Sequence, residues 1–173
     1  MGGIHLDDFH DAVVASLESI GWLNSVEAYP EHQTELVGPC AFFSVIDWEF
    51  AEEQPMNGQI AVDLSCELLV VFGRDDSGYQ KSIRNAAMAI CAKVHGNRWG
   101  LQVEPAVLKG ASPDGFTPEL DAYAVWRIEW QQRAEIGIDQ YHDDGSGFVP
   151  TTIMVSQSPH IGAGNEGHYE PTS

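Results

Sequence analysis

Apolar positions near the start of the chain recur at helical spacing. Leu6, Phe9, Val13, Leu17 and Ile20 fall on one stripe at about 100° per residue, while Asp7, Asp11 and Glu18 lie away from it. This predicts an amphipathic helix, with Gly21 placed to end it. A short extended piece at Val26–Tyr29 stops before Pro30, and Ala41–Phe50, rich in aromatic and β-branched residues, reads as a strand. The clearest pattern comes next. Ile60, Val62, Leu64, Cys66, Leu68, Val70 and Phe72 alternate with Ala61, Asp63, Ser65 and Glu67, a sustained period of two. Asn57-Gly58 supplies the turn chemistry for a hairpin with the preceding strand. Leu69 and Val71 make the second face apolar near the strand's end, so a cover is expected there.

Helical spacing returns over Gly78–His95, with Tyr79, Ile83, Ala86, Ala87, Ile90 and Val94 on one face and Lys81, Arg84 and Asn85 opposite. Gly96 is a natural stop. A shorter strand is expected around Leu101–Leu108 and a long one over Leu120–Arg133, joined by the turn-forming loop KGASPDGFTPE. In the long strand Leu120, Ala122, Ala124, Trp126, Ile128 and Trp130 share a face. Tyr123 and Val125 stand on the other face beside Arg127 and Glu129, which points to partial cover by another surface and so to assembly. Trp48, Trp126 and Trp130 are expected to fill the core.

This order of elements predicts an α+β fold: a two-layer sandwich of a mainly antiparallel sheet with two helices packed on one face. Residues 1–136 form that domain. From Gly137 the chain has no sustained period and is loaded with Gly, Ser, Pro and Thr, so residues 137–173 read as an extended or flexible C-terminal arm without a core of its own.

Candidate chemistry changes this picture little. In FGRDDSGYQ, Ser77 and Gln80 have the S-x-x-Q spacing of a capping box, and Asp75 and Asp76 sit near the positive end of the helix dipole. A phosphate loop would need Gly-Lys there, and a calcium loop a distant closing Glu. GAGNEG at 162–167 matches G-x-G-x-x-G but lacks the strand, the helix and the distal acid of a dinucleotide site. His142, Asp143 and Asp144 read as solvated loop, and His160 and His168 lack partners at metal-ligand spacing. His10 flanks the first apolar stripe and is expected to be half-buried. No G-x-S-x-G elbow or nucleophilic cysteine signature is present. No catalytic, cofactor-binding or metal residues are assigned, and the chain is not expected to be an enzyme.

Charge adds one constraint. The formal net charge is −18, and all eight Lys and Arg lie between Arg74 and Arg133. Such a chain cannot neutralise many phosphates, so sequence-specific nucleic-acid binding is not expected. Solubility accounts for the acidity, and so would a surface that repels nucleic acid passing close by. No apolar run approaches the roughly 20 residues needed to cross a bilayer. The opening MGGIHLDDFH has no basic or signal-like apolar region, and Leu6 stands where myristoylation wants Ser or Thr. Cys40, Cys66 and Cys91, an odd set without CxxC spacing, read as reduced thiols of a cytoplasmic protein.

Over residues 4–136 the element order, with FHDAVVASLESI, VEAYPE, IAVDLSCELLVVFGRDD, YQKSIRNAAMAICAKV and DAYAVWRIEWQQRAE, resembles the tail terminator proteins of long-tailed bacteriophages, especially the Mu-like contractile-tailed branch. The arm departs from that family's minimal domain. The resemblance implies a virion protein, assembled in the host cytoplasm, that forms a homo-oligomeric ring, usually a hexamer. Such a ring stops growth of the tail tube, meets the tube and the sheath, and presents a surface to the head-completion proteins of the neck. Tyr141, Phe148, Val149, Ile153, Val155 and Ile161 are large apolar groups spread along the arm, and VPTTIMVSQ has the β-branched density of a strand seeking an edge. They are the candidates for ordering the arm against a neighbouring subunit or neck protein. Another neck or sheath-joining protein fits the same class, and a small-molecule-binding or enzymatic α+β domain is the reading from a different one.

Overall fold

A computed structural model describes residues 2–29, 36, 38–74, 78–115, 120, 123–141, 154–157 and 159–171. It divides into two units, residues 1–141 and 142–173. The first holds helices α1 (Leu6–Glu18) and α2 (Tyr79–Val94) and strands β1 (Ser25–Ala28), β2 (Cys40–Phe50), β3 (Ile60–Phe72), β4 (Val107–Pro113) and β5 (Ala124–Ile136). The strands make one sheet in the order β1-β2-β3-β5-β4, antiparallel throughout except that β1 runs parallel to β2. Both helices pack on one face. The α+β two-layer sandwich is therefore the observed fold.

Alternation decides the core. Val62, Leu64, Cys66, Leu68 and Val70 of β3 pack with Phe43 and Val45 of β2, Ile128 and Trp130 of β5, Phe9, Val13 and Leu17 of α1, and Ala87, Ile90 and Val94 of α2. His10 is buried, at 8% exposure, rather than half-buried. Its Nδ1–H donates to Leu6 O at 2.9 Å, and its Nε2 lies 3.1 Å from the Tyr29 hydroxyl. On the other face Cys40, Phe42, Leu69, Val71 and Val125 form a second, smaller cluster. Leu120 and Leu36 pack onto it, and Leu36 N donates to the Tyr123 hydroxyl at 3.0 Å. The surface covering Tyr123 and Val125 thus includes segments of the chain itself.

Two further sequence expectations need correction. The strand expected over 101–108 runs instead from Val107 to Pro113, inside the segment that reads as a loop. Edge strands tolerate Gly and Pro, and β4 has Gly110 beside a register shift and Pro113 at its end. Before it the chain touches β5 at a single bridge, Val103 to Ala134, and then arches over Gln132, whose Nε2 donates to Asn97 O at 3.0 Å and Glu104 O at 2.7 Å. Gln132 Oε1 accepts from Trp99 Nε1 at 2.7 Å, so this buried amide is fully used. Gln132→Leu should cost about 1–3 kcal/mol by stranding those partners, read as a lower urea midpoint with an unchanged m-value; an unchanged midpoint would mean that the loop is held by other contacts.

The second correction concerns Trp48, which is exposed rather than in the core. The compact first unit extends to Tyr141. Gly3 N donates to Gly137 O, Gln140 N donates to Asn57 O at 2.8 Å, and Gly2 bridges to Ile138. A Cβ on Gly3 would fall 2.6 Å from Glu135 O, so only glycine allows this approach.

The second unit contains a two-residue antiparallel ladder between β6 (Met154–Val155) and β7 (Glu170–Pro171), and a 3-10 turn at Glu166–His168. None of its described residues is buried. Among the described residues no helix is long and apolar enough to cross a membrane.

Candidate assembly surface

β1 is short. β1 pairs with Cys40 to Phe43 only. Tyr29 N donates to Phe43 O at 2.9 Å and its hydroxyl to Val45 O at 3.4 Å; among the described residues, no strand lies along the outer edge of β2 from Ser44 to Phe50. A register shift between Val45 and Asp47 makes Ile46 a bulge. Past it, Trp48 and Phe50 stand opposite Leu64 and Val62 on the helix side, while Asp47 and Glu49 stand opposite Ser65 and Asp63 on the other. The helices do not cover this end: Ile46 is 57%, Trp48 56% and Phe50 73% exposed. Ile60 and Ile136, paired with each other across β3 and β5, are also exposed nearby.

The turn beyond β2 holds this edge in place. Gln54 Nε2 donates to Ala51 O at 2.7 Å and Ala61 O at 2.9 Å, and its Oε1 accepts from Ala61 N at 2.9 Å. Gly58 adopts φ +90°, and a Cβ there would meet the Gln140 side chain at 2.7 Å. An open edge that is also held rigid has little ordering cost left on pairing. The sheet's other edge is β4, where Val107 and Lys109 are exposed.

Beyond the second apolar cluster, the helix-free face carries ion pairs. Arg133 donates from Nε and Nη2 to the two carboxylate oxygens of Asp63, at 2.8 and 3.0 Å. That fork holds the Asp63 carboxyl below its usual range against the opposing effect of burial, and nearby Lys109 adds to it. Arg127 Nη2 donates to Asp114 Oδ1 at 2.7 Å. Its Nε lies 2.9 Å from Glu67 Oε2 but off the line of a hydrogen bond, so that contact is coulombic. Burial raises the Glu67 carboxyl above its usual range, Asp114 and Glu129 add to the rise, and Arg127 opposes it.

The arm candidates are only partly placed. Tyr141 is exposed at the end of the first unit, and Val155 and Ile161 are exposed in the second. Phe148, Val149 and Ile153 lie outside the described residues, as does Ser77. The N-cap of α2 is Gly78, in the left-handed region at φ 88°, with no side-chain cap bond. Gln80 Oε1 accepts from Arg84 Nη1 at 2.7 Å. At Gly78 the chain takes a backbone turn that favours glycine.

His142, Asp143 and Asp144 also fall outside the described residues, among which no cluster of three metal-ligating side chains occurs. The His160 and His168 rings stack at 4.2 Å. Burial pushes the Cys40 thiol up to about 11 and raises Cys66 as well, so both are protonated at neutral pH. Ile46, Trp48, Phe50 and Lys109 carry no site expectation from sequence. The alternation of IDWEF gives their faces but not where the covering helices stop. The chain matches no family model and no curated protein sequence.

Proposed function

We propose that this protein is a self-assembling structural subunit of a bacteriophage tail, of the tail-terminator kind: a ring that caps the tail tube and joins it to the neck. The observation that carries the reading is the open β2 edge. Monomeric proteins blunt or cover long apolar edges, because a row of unpaired backbone groups flanked by large apolar side chains recruits another strand. Here Ile46, Trp48 and Phe50 remain exposed beside such an edge, on a strand tip held rigid by Gln54. The element order of residues 4–136 supplies the kind of assembly, and the net charge of −18 suits a passage that DNA must cross without adhering.

The test is mass and shape in solution. Light scattering across a dilution series should give a discrete assembly of about six copies, the stoichiometry the resemblance implies, and negative-stain images should show rings with a central hole. A protein that stays monomeric at every concentration, or whose only stable complex is with a metabolite, would overturn this reading.

A further inference from the structure

We infer that copies of this chain join head to tail through the two edges of the sheet, the Ser44–Phe50 edge of β2 in one copy taking the Val107–Pro113 edge of β4 from the next. The inference rests on the reading above and names the surfaces by which the assembly forms.

Strand sense allows it. Along β2-β3-β5-β4 each strand is antiparallel to its neighbour, so β4 runs opposite to β2. A second copy related by rotation and brought up beside the first presents β4 antiparallel to β2, and the ladder continues in the same pattern. β1 occupies β2 from Cys40 to Phe43, so the incoming strand can take only Ser44 to Phe50. β4 has seven residues, as many as that open run.

Charge selects the pairing. Between Ser44 and Phe50 the β2 edge has two acids, Asp47 and Glu49, and no base; between Val107 and Pro113 the β4 edge has Lys109 and no acid. Two β2 edges paired about their centre would set Asp47 against Asp47 or against Glu49. Like charges directly opposite destabilise a ladder and opposite charges favour it. The acids thus admit the neighbour's β4 and reject a second β2. Each edge also brings apolar surface, Ile46, Trp48 and Phe50 on one and Val107 on the other, all more than half exposed. Because the two patches differ, the contact is heterologous, so it propagates from copy to copy rather than stopping at a pair, and gives a ring where the rotation closes.

Charge reversal with rescue tests this on the full chain. Asp47→Lys with Glu49→Lys, and separately Lys109→Glu, should each weaken assembly in light-scattering dilution series by about tenfold or more. Asp47→Lys combined with Lys109→Glu in one chain should restore most of it. Variants carrying Asp47→Cys and Lys109→Cys, mixed and oxidised, should give the mixed disulfide between unlike chains, and neither alone should cross-link efficiently; this readout does not depend on the tolerance of the reversals. If the wild type assembles but the reversals are not rescued and the mixed disulfide does not form, the β2–β4 contact is wrong and the ring reading stands. Efficient self-linking of Asp47→Cys would show a β2–β2 pair and also overturn the contact. A monomeric wild type would overturn both.

Discussion

Arg127→Leu should lower the free energy of unfolding by about 3–5 kcal/mol at neutral pH, the cost of removing one partner from a buried ion pair. Arg127 lies between two carboxylates, 2.7 Å from Asp114 and 2.9 Å from Glu67, and the Asp114 side chain is only 1% exposed. Leucine would replace much of the apolar stem but leave both acids facing each other. Glu67 gives the loss a pH signature. Its folded pKa is already raised, first by burial and then by Asp114 and Glu129, and Arg127 is the group that opposes the rise. A carboxyl with a raised folded pKa contributes stability below its unfolded value and loses it as pH rises through the folded one. Without Arg127 the folded value moves further up and the loss at neutral pH deepens. The deficit of the variant should therefore shrink as pH falls toward about 4–5, the ordinary carboxylate range. Urea unfolding at neutral and acid pH reads both quantities. A deficit below about 1 kcal/mol that ignores pH would show that the pair behaves as an exposed surface pair.

Trp130→Ala should cost a similar amount, about 3–5 kcal/mol, whereas Trp130→Phe should cost far less. Trp130 is fully buried, stacked on Phe43 with ring centroids 5.4 Å apart, and Trp99 lies tilted against it at 6.1 Å. Alanine would leave a cavity between two aromatic rings at the centre of the helix-covered face. Phenylalanine keeps most of the stack and also removes the buried indole N–H, which has no hydrogen-bond partner. Deleting an unpaired donor returns part of its desolvation cost, about 1–3 kcal/mol, and offsets some of the lost volume. Thermal or chemical unfolding of the two variants side by side separates these effects. Equal losses in both would mean that the indole N–H has a partner after all.

Much of the fold was legible because burial on one face imposes a period on the chain. The alternation from Ile60 to Phe72 reads directly as β3, and the stripes of Phe9, Val13 and Leu17 and of Ile83, Ala87 and Ile90 read as the two helices. Where no face is buried no period is written, which is why β4, with Gly110 and Pro113, looks like a loop. Alternation tells which side of the sheet a residue takes but not where the covering helices stop; hence Trp48 reads as core and stands exposed. Gln132 resembles a polar interruption in the apolar stripe of β5, because the carbonyls it binds belong to residues 97 and 104, far away in sequence. The parallel β1 was hidden for a like reason, since strand sense is set by the path of the intervening chain and not by side-chain pattern. The candidate assembly edge follows from two of these hidden facts together, a β1 too short to cover β2 and a β4 in an unexpected place.

The pairing of β3 with β5 also sets the order in which the sheet can be completed. Ile60 pairs with Ile136 and Phe72 with Ala124, so the central ladder joins segments separated by α2 and β4. The β2–β3 hairpin can close locally, but the other side of β3 has no partner until the chain has been synthesised past Ile136. Long-range pairing of this kind is slow to nucleate, since loop closure must precede any gain from the contacts. A nascent chain released early would present the apolar side of β3 as an unpaired strand, the condition under which folding intermediates aggregate. Production of this protein is accordingly most vulnerable to truncation between α2 and the end of β5.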